Sequence, residues 1–367
     1  MDKEDIEFLT EEPEEIKEYY IGYFDILGYK QYFNEFGDNK DEIKKFLNNF
    51  HNSIKENIRD VTSKFTDILQ DLPMNLKVKI FSDNILICLE VLNGYNEFTR
   101  LLVFIQMLAD IQRDFILKFG LFVRGGIIKG DISFNNCYVF GKGLIDVVGI
   151  ENNANYPRIV ISKDLIKFIY KNLFSQYNIC GLKQIIEILK NNGFSYNLAI
   201  DDEFINIENY LLFLQNIYNL INFIDKNLYI FKNESYYNIL SWFINFKYYF
   251  YIIYELSYFD EKDRIFSLSY IYYINLKELL GQEIYSIIIS YIKTTNHRKF
   301  EEIKNEKSLN MPEILETHNK KIKEQLNKYG EIESEENKKI LKKYLWLSEY
   351  HNKICYKYNF LDFLIYN

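Results

Sequence analysis

The sequence predicts an α+β fold: a ferredoxin-like βαββαβ domain followed by a mostly α-helical C-terminal domain. Three observations lead there. Between residues 18 and 163, short β-rich runs and two long stretches of helical periodicity follow one another as strand, helix, strand, strand, helix, strand. Beyond about residue 163, glycine becomes sparse and aromatic and aliphatic residues recur at helical spacing. At 367 residues, the chain exceeds the usual size of a single core. The expected division is a flexible N-terminus over 1–17, the mixed domain over 18–163 and a helical domain of unassigned role over 164–367.

The first strand is expected over Tyr20–Leu27, an apolar run. From Lys40 to Leu69, Ile43, Phe46, Leu47, Phe50, Ile54, Ile58, Val61 and Phe65 recur as one helical face, which Asp71-Leu72-Pro73 breaks. Leu76–Phe81 and Ile85–Glu90 read as a hairpin with Ser82-Asp83-Asn84 at its tip. A second helix is expected over Asn96–Phe119, ended by Gly120, and Leu121–Ile128 follows as a strand. Then come a strand near Tyr138–Phe140, a short helix near Leu144–Asn152 and a strand at Arg158–Ser162. Tyr210–Ile224 and Tyr236–Tyr258 read as aromatic helices, and 300–343 as densely charged, solvated ones.

Composition narrows the function classes. A formal net charge of −8 argues against a nucleic-acid footprint, which needs a basic surface. The 32 Tyr and 30 Phe accompany abundant Lys, Asn and Ile and scarce Pro and Arg, a codon-usage pattern rather than a stacking surface. Cys88, Cys137, Cys180 and Cys355 form no C-x-x-C pair, which suits free thiols in a reducing cytoplasm. The N-terminus is acidic, without an apolar signal core. Lys247 and Glu255 interrupt the most membrane-like stretch, Tyr236–Phe259, so no membrane span is expected. His51, His297, His318 and His351 show no ligand spacing and are expected at surfaces or helix ends; Trp346 and Tyr350 read as packing residues.

Two aspartates carry the chemistry. Asp25 lies within Tyr23-Phe24-Asp25-Ile26-Leu27-Gly28-Tyr29, and Asp83 at the tip of Lys79-Ile80-Phe81-Ser82-Asp83-Asn84-Ile85. A carboxylate in an apolar run is costly unless a cation or hydrogen bonds stabilise it. In a βαββαβ sheet, the first strand and the hairpin are neighbours, so both residues can converge on one edge as oxygen ligands for a hard cation that carries substrate phosphates.

With these motifs, residues 18–163 resemble the catalytic domain of class III nucleotidyl cyclases, the adenylate and guanylate cyclases. The group includes bacterial Pycsar enzymes, which make pyrimidine cyclic nucleotides in anti-phage defence. Phe24-Asp25-Ile26-Leu27-Gly28-Tyr29 fits the first metal motif, and Asp83 with Lys79 four residues earlier fits the second metal residue and the base-reading lysine. Arg124-Gly125-Gly126-Ile127-Ile128-Lys129-Gly130 fits R-x-G-I-x-x-G. Phe140-Gly141, Ile150-Glu151, Ala154 and Ile159-Val160-Ile161-Ser162 follow in the family's order.

The resemblance implies two Mg²⁺ or Mn²⁺ ions on Asp25, Asp83 and the carbonyl of Ile26. It implies phosphate held by Gly28, Tyr29 and Lys30, a base read by Lys79, a nucleoside triphosphate substrate and a head-to-tail homodimer. The chain departs from the pattern at three positions: Ile145 and Gly149 stand where the family has a ribose-orienting Asn and a transition-state Arg, and Gly143 where it has the second base-reading residue. Arg124, Lys129 and Arg158 are the candidates to supply the missing positive charge. The departures keep a second reading open, a degenerate cyclase fold that binds nucleotide as a sensor or interaction module. A third is a palm-type polymerase making dinucleotides or oligonucleotides. The Arg-Gly-Gly segment does not complete the Gly-Gly-Asp-Glu-Phe signature of diguanylate cyclases.

Overall fold

Strand β1 (Lys17–Leu27) is apolar along most of its length because both of its faces are covered. The computed structural model describes residues 15–29, 33–34, 39–69, 73–93, 96–135, 138–194, 207–226, 237–260, 262–263, 265–270, 310–330 and 334–366. Lys30, Cys137, His297 and residues 1–14 of the expected flexible N-terminus lie outside them.

β1 pairs antiparallel with β3 (Asn84–Glu90) on one side and β4 (Phe122–Phe134) on the other. β2 (Leu76–Phe81) closes the hairpin with β3, turning at Ser82, which takes the left-handed φ of 57°. β6 (Ile159–Ile161) joins β4 in parallel, and the two-residue β5 (Val139–Phe140) pairs with the far end of β4. Among the described residues the sheet is mixed and eight-stranded, in the order β2-β3-β1-β4-β6 followed by β8 (Ile265–Leu268) and β7 (Ser257–Asp260), with β5 off that path.

Helices cover each face over β1. Helices α1 (Lys40–Leu69) and α2 (Glu97–Asp114) pack against each other through Phe46 and Phe50, whose rings meet Phe115 and Phe119 at 4.9–5.5 Å. Leu108 of α2 comes so close to Gly22 that a Cβ there would lie 2.9 Å from its methyl carbon. Asn96 caps α2 by accepting from the Thr99 N–H; the helix ends in a π-turn, Phe115–Phe119, stopped by Gly120 at φ 65°. On the opposite face, α3 (Lys142–Asn153) lies over Tyr19, Ile21, Tyr23, Ile128 and Ile132. Glycines allow this approach: a Cβ on Gly126 would meet Ile150 at 2.8 Å, and one on Gly130 would meet Gly143 Cα at 3.0 Å.

The chain then runs through α4 (Lys163–Leu173), α5 (Gln176–Asn191), α6 (Ile207–Lys226) and α7 (Tyr237–Leu256). Within the mostly helical 164–367 segment stand β7 (Ser257–Asp260) and β8 (Ile265–Leu268), an antiparallel pair that continues the sheet when Val160 of β6 meets Ser267. Helices α8 (Met311–Gly330) and α9 (Glu335–Lys357) follow. Two compact units result: one of Met1–Ile166, Leu256–Tyr272 and Asn310–Asn367, the other of Lys167–Glu255 and Tyr273–Leu309. Within the second unit, Trp242 of α7 lies against Gly181 of α5 and donates its indole N–H to Asn178 at 3.1 Å. Among the described residues, no helix is long and apolar enough to cross a membrane.

Candidate active site at the β1–β3–β4 junction

Side chains alternate along a strand, so Asp25 shares the α3-facing side of β1 with Tyr19, Ile21 and Tyr23. Its cross-strand partners are Asn84 on β3 and Arg124 on β4. Directly opposed side chains on one face meet, and Arg124 Nη2 lies 3.2 Å from Asp25 Oδ2. The same guanidinium nitrogen lies 2.5 Å from Glu151 Oε1, which α3 holds above the sheet.

Asp83 precedes β3 by one residue, and its backbone carbonyl accepts the Ile26 N–H at 2.9 Å. A short chain of bonds fixes its side chain. Tyr23 donates its hydroxyl hydrogen to Asn84 Oδ1 at 2.6 Å, and the Asn84 amide donates to Asp83 Oδ1 at 3.2 Å. Asp25 and Asp83 are therefore brought together at the end of the β1–β3 pair, both half-buried. The Asp25 side chain keeps 22% of its surface accessible.

Electrostatics tie the cluster together. Burial pushes the Asp25 carboxyl above the usual carboxylate range; Arg124 opposes that shift and the charge of Asp83 adds to it. Glu151 is likewise raised by burial, with Arg124 opposing and Asp25 adding. Tyr29, raised by burial, feels the charge of Asp83, and Tyr23 feels all three carboxylates. Lys343 of α9 acts on Asp25 and Glu151 from outside the 18–163 segment.

The other residues singled out in the sequence are placed as follows. Gly28 takes a left-handed φ of 79°, with no atom within 4 Å of where a Cβ would sit, so the chain leaves β1 in a tight open turn. Lys79 Nζ donates to the carbonyl of Asn135 at 3.3 Å, and Lys129 pairs with Glu18 at 2.7 Å. Arg158 has a different set of partners. It is 1% exposed, pairs with Asp260 at 3.1 Å and Asp263 at 2.7 Å, and donates from Nε to the Ala154 carbonyl. Its guanidinium also lies over the rings of Tyr156 and Trp346. On α3, Ile145 is 73% exposed, and Gly149 has open space where a side chain would stand.

The sequence alone does not single out Tyr23 and Asn84, although period-two alternation puts Tyr23 on the face of Asp25. Glu151 stands out there only as part of the Ile150-Glu151 pattern. Nothing in the lysine-rich stretch Lys338-Lys339-Ile340-Leu341-Lys342-Lys343 distinguishes the last residue.

Two carboxylates, one oriented through hydrogen bonds and one partly accessible, offer hard oxygen donors beside an arginine and a lysine. Among the described residues, no group of three or more His, Cys, Asp or Glu side chains is arranged to hold a metal ion. No protein-family model matches the chain, and no curated protein matches it. Among solved structures, the chain is similar to the adenylyl cyclase CyaB from P. aeruginosa, with 13% identity, over 43% of this chain and 82% of that one, at a TM-score of 0.34. At that identity and that TM-score, the likeness assigns neither family nor activity.

Proposed function

We propose that the protein is a metal-dependent nucleotide cyclase, built on a ferredoxin-like palm, that converts a nucleoside triphosphate to a 3′,5′-cyclic mononucleotide and pyrophosphate. The observation that carries this reading is the approach of Asp25 and Asp83 at one end of the β1–β3 pair, within reach of solvent. The donor set suits Mg²⁺ or Mn²⁺, since Mg²⁺ is commonly held by one or two carboxylates while substrate phosphates and water complete its shell. Arg124 engages Oδ2 of Asp25, and Oδ1 has no hydrogen bond among the described residues.

Two ions bound there would lower the pKa of the attacking 3′-hydroxyl and neutralise the triphosphate. Asp25 and Asp83 would hold them, with the carbonyl of Ile26 as a further oxygen donor. Gly28, Tyr29 and Lys30 would bring backbone N–H groups to the phosphates as the chain turns away from β1. Arg124 opposes the upward push that burial gives the Asp25 carboxyl and ties it to Glu151. Lys79 is the residue we assign to the base. The active species is expected to be a homodimer, and a role in bacterial signalling or anti-phage defence belongs to the same proposal.

A second reading has one specific observation in its favour. Ile145 and Gly149 present no hydrogen-bonding side chain on the exposed face of α3, which suits a nucleotide-binding sensor without turnover. One experiment separates the two. Purified protein is incubated with each labelled nucleoside triphosphate and Mg²⁺ or Mn²⁺, and the products are resolved. A cyclic mononucleotide whose formation drops by at least about 10²-fold in both Asp25→Asn and Asp83→Asn supports the cyclase. Metal-dependent binding without product supports the sensor, and a dinucleotide or longer product points to a polymerase instead.

A further inference from the structure

Of the cations that the sequence offers as candidates for the site, most are committed elsewhere or already paired. Arg124 spans Asp25 and Glu151, Lys129 is on Glu18, Lys79 is on a main-chain carbonyl, and Arg158 is sealed against Asp260 and Asp263. Lys343 differs. It is half-buried, and its ammonium has neither an ion pair nor a hydrogen bond among the described residues. Its ammonium nevertheless interacts electrostatically with Arg124, Asp25 and Glu151.

Packing holds it there. The neighbouring Tyr344 places its ring 5.8 Å from Phe122, and Phe122 is the cross-strand partner of Leu27 at the end of β1. Three residues on, Trp346 donates its indole N–H to Asp260 at 2.7 Å and stacks on Tyr156 at 5.3 Å. The stretch of α9 carrying Lys343 is thus pinned on both sides, and the lysine is set at the strand end where Asp25 and Arg124 face each other.

An ammonium partly withdrawn from water beside an arginine, on which Asp25 and Glu151 act without forming an ion pair, has room for an anion as its direct partner. Burial and the charge of Arg124 hold its pKa below that of an ordinary lysine, with Asp25 and Glu151 opposing. We propose that α9 supplies Lys343 to the site as the group that holds a substrate phosphate, taking over the charge that Gly149 cannot provide. This rests on the cyclase reading above for its substrate, but not for its anion chemistry. In that reaction, the 3′-hydroxyl loses its proton to water and its oxygen bonds to the α-phosphorus, as the bond from that phosphorus to the α–β bridging oxygen breaks and pyrophosphate leaves with the electron pair. Lys343 would stabilise charge on the phosphates during transfer.

The test measures binding of pyrophosphate in Mg²⁺, together with cyclisation kinetics, for the wild type, Lys343→Ala, Lys343→Met and Lys343→Arg. The methionine variant keeps the apolar stem, so the charge is removed without an emptied packing position. The expected result is pyrophosphate binding weakened about tenfold in the alanine and methionine variants. A fall of about 10²-fold in kcat and partial recovery in Lys343→Arg are also expected. Mn²⁺ binding without phosphate should not weaken. Pyrophosphate binding equal to wild type in a folded Lys343→Met protein overturns the proposal, as does a wild type that binds no pyrophosphate. If pyrophosphate binding depends on Lys343 while no triphosphate is cyclised, the anion site stands and the cyclase reading falls. If cyclisation proceeds equally well without Lys343, the reverse holds.

Discussion

Arg124 and Arg158 stand on either side of one main-chain hydrogen bond, from the Gly125 N–H to the Arg158 carbonyl at 3.0 Å, and yet serve different ends. Arg124 faces the carboxylates of the candidate site, whereas Arg158 welds β6 to the β7 end through Asp260 and Asp263. Removing one partner of such a buried pair strands the other. Arg158→Met is therefore expected to lower unfolding free energy by about 3–5 kcal/mol, read by urea denaturation. A variant of wild-type stability that had lost turnover would return Arg158 to the catalytic set. The sequence makes Asp25, Asp83 and Arg124 legible because a charge in an apolar strand is conspicuous and strand alternation tells which face it takes. It does not separate the uses of the two arginines, because the acids that claim Arg158 lie 102 and 105 residues away.

Helices α8 and α9 are joined by a hydrogen-bond relay that runs through two buried histidines. Both were expected at surfaces or helix ends, but they are 1% and 0% exposed. His351 Nε2 lies 2.8 Å from the Phe363 carbonyl, which can only accept, so the hydrogen sits on Nε2 and Nδ1 accepts. His318 Nδ1, 3.0 Å away, must then donate, leaving its Nε2 to accept from the Tyr270 hydroxyl at 2.9 Å. One of the two facing Nδ1 atoms must accept, so the relay breaks once both rings are protonated. Burial depresses the pKa of both; the His351 ring adds to the effect at His318, while at His351 the Phe363 carbonyl opposes it and the charge of Lys323 adds to it. Their stabilisation is complete above the unfolded value of about 6.5 and is lost as pH falls below it, because the unfolded chain takes up protons that the folded chain refuses. The expected loss is up to about 1.4 kcal/mol per pH unit for each ring. Urea unfolding between pH 7.5 and 5.5 checks it: His351→Gln should flatten the slope, and an unchanged slope would refute the assignment. Helical periodicity placed these helices but could not pair them. The four-residue strands β7 and β8 were likewise hidden, because runs that short beside a 20-residue aromatic helix leave no alternation to read.

For the molecule as a whole, the division expected after residue 163 reads the chain as two successive blocks, whereas residues 256–272 and 310–367 cluster with the first unit. Sequence patterns report local periodicity and carry little information on a chain that leaves and comes back. A fragment of residues 18–163 lacks β8, the partner of β6, and the α9 residues that pack on Phe122 and Tyr156. It is expected to be protease-sensitive and to lack a cooperative thermal transition, measured against the full chain by limited proteolysis and circular dichroism. A fragment that melts cooperatively at the full-length temperature would show that the returning segments are dispensable.

The pairing of Val160 with Ser267 also sets a timetable for synthesis. A nascent chain emerging from the ribosome can zip β1 to β3 and β4 early, but the outer rim of β6 stays unmatched until more than a hundred further codons have been read. During that interval, an open rim of Ile159-Val160-Ile161 is a template for other strands, so slow elongation through the intervening region should raise the demand for chaperones.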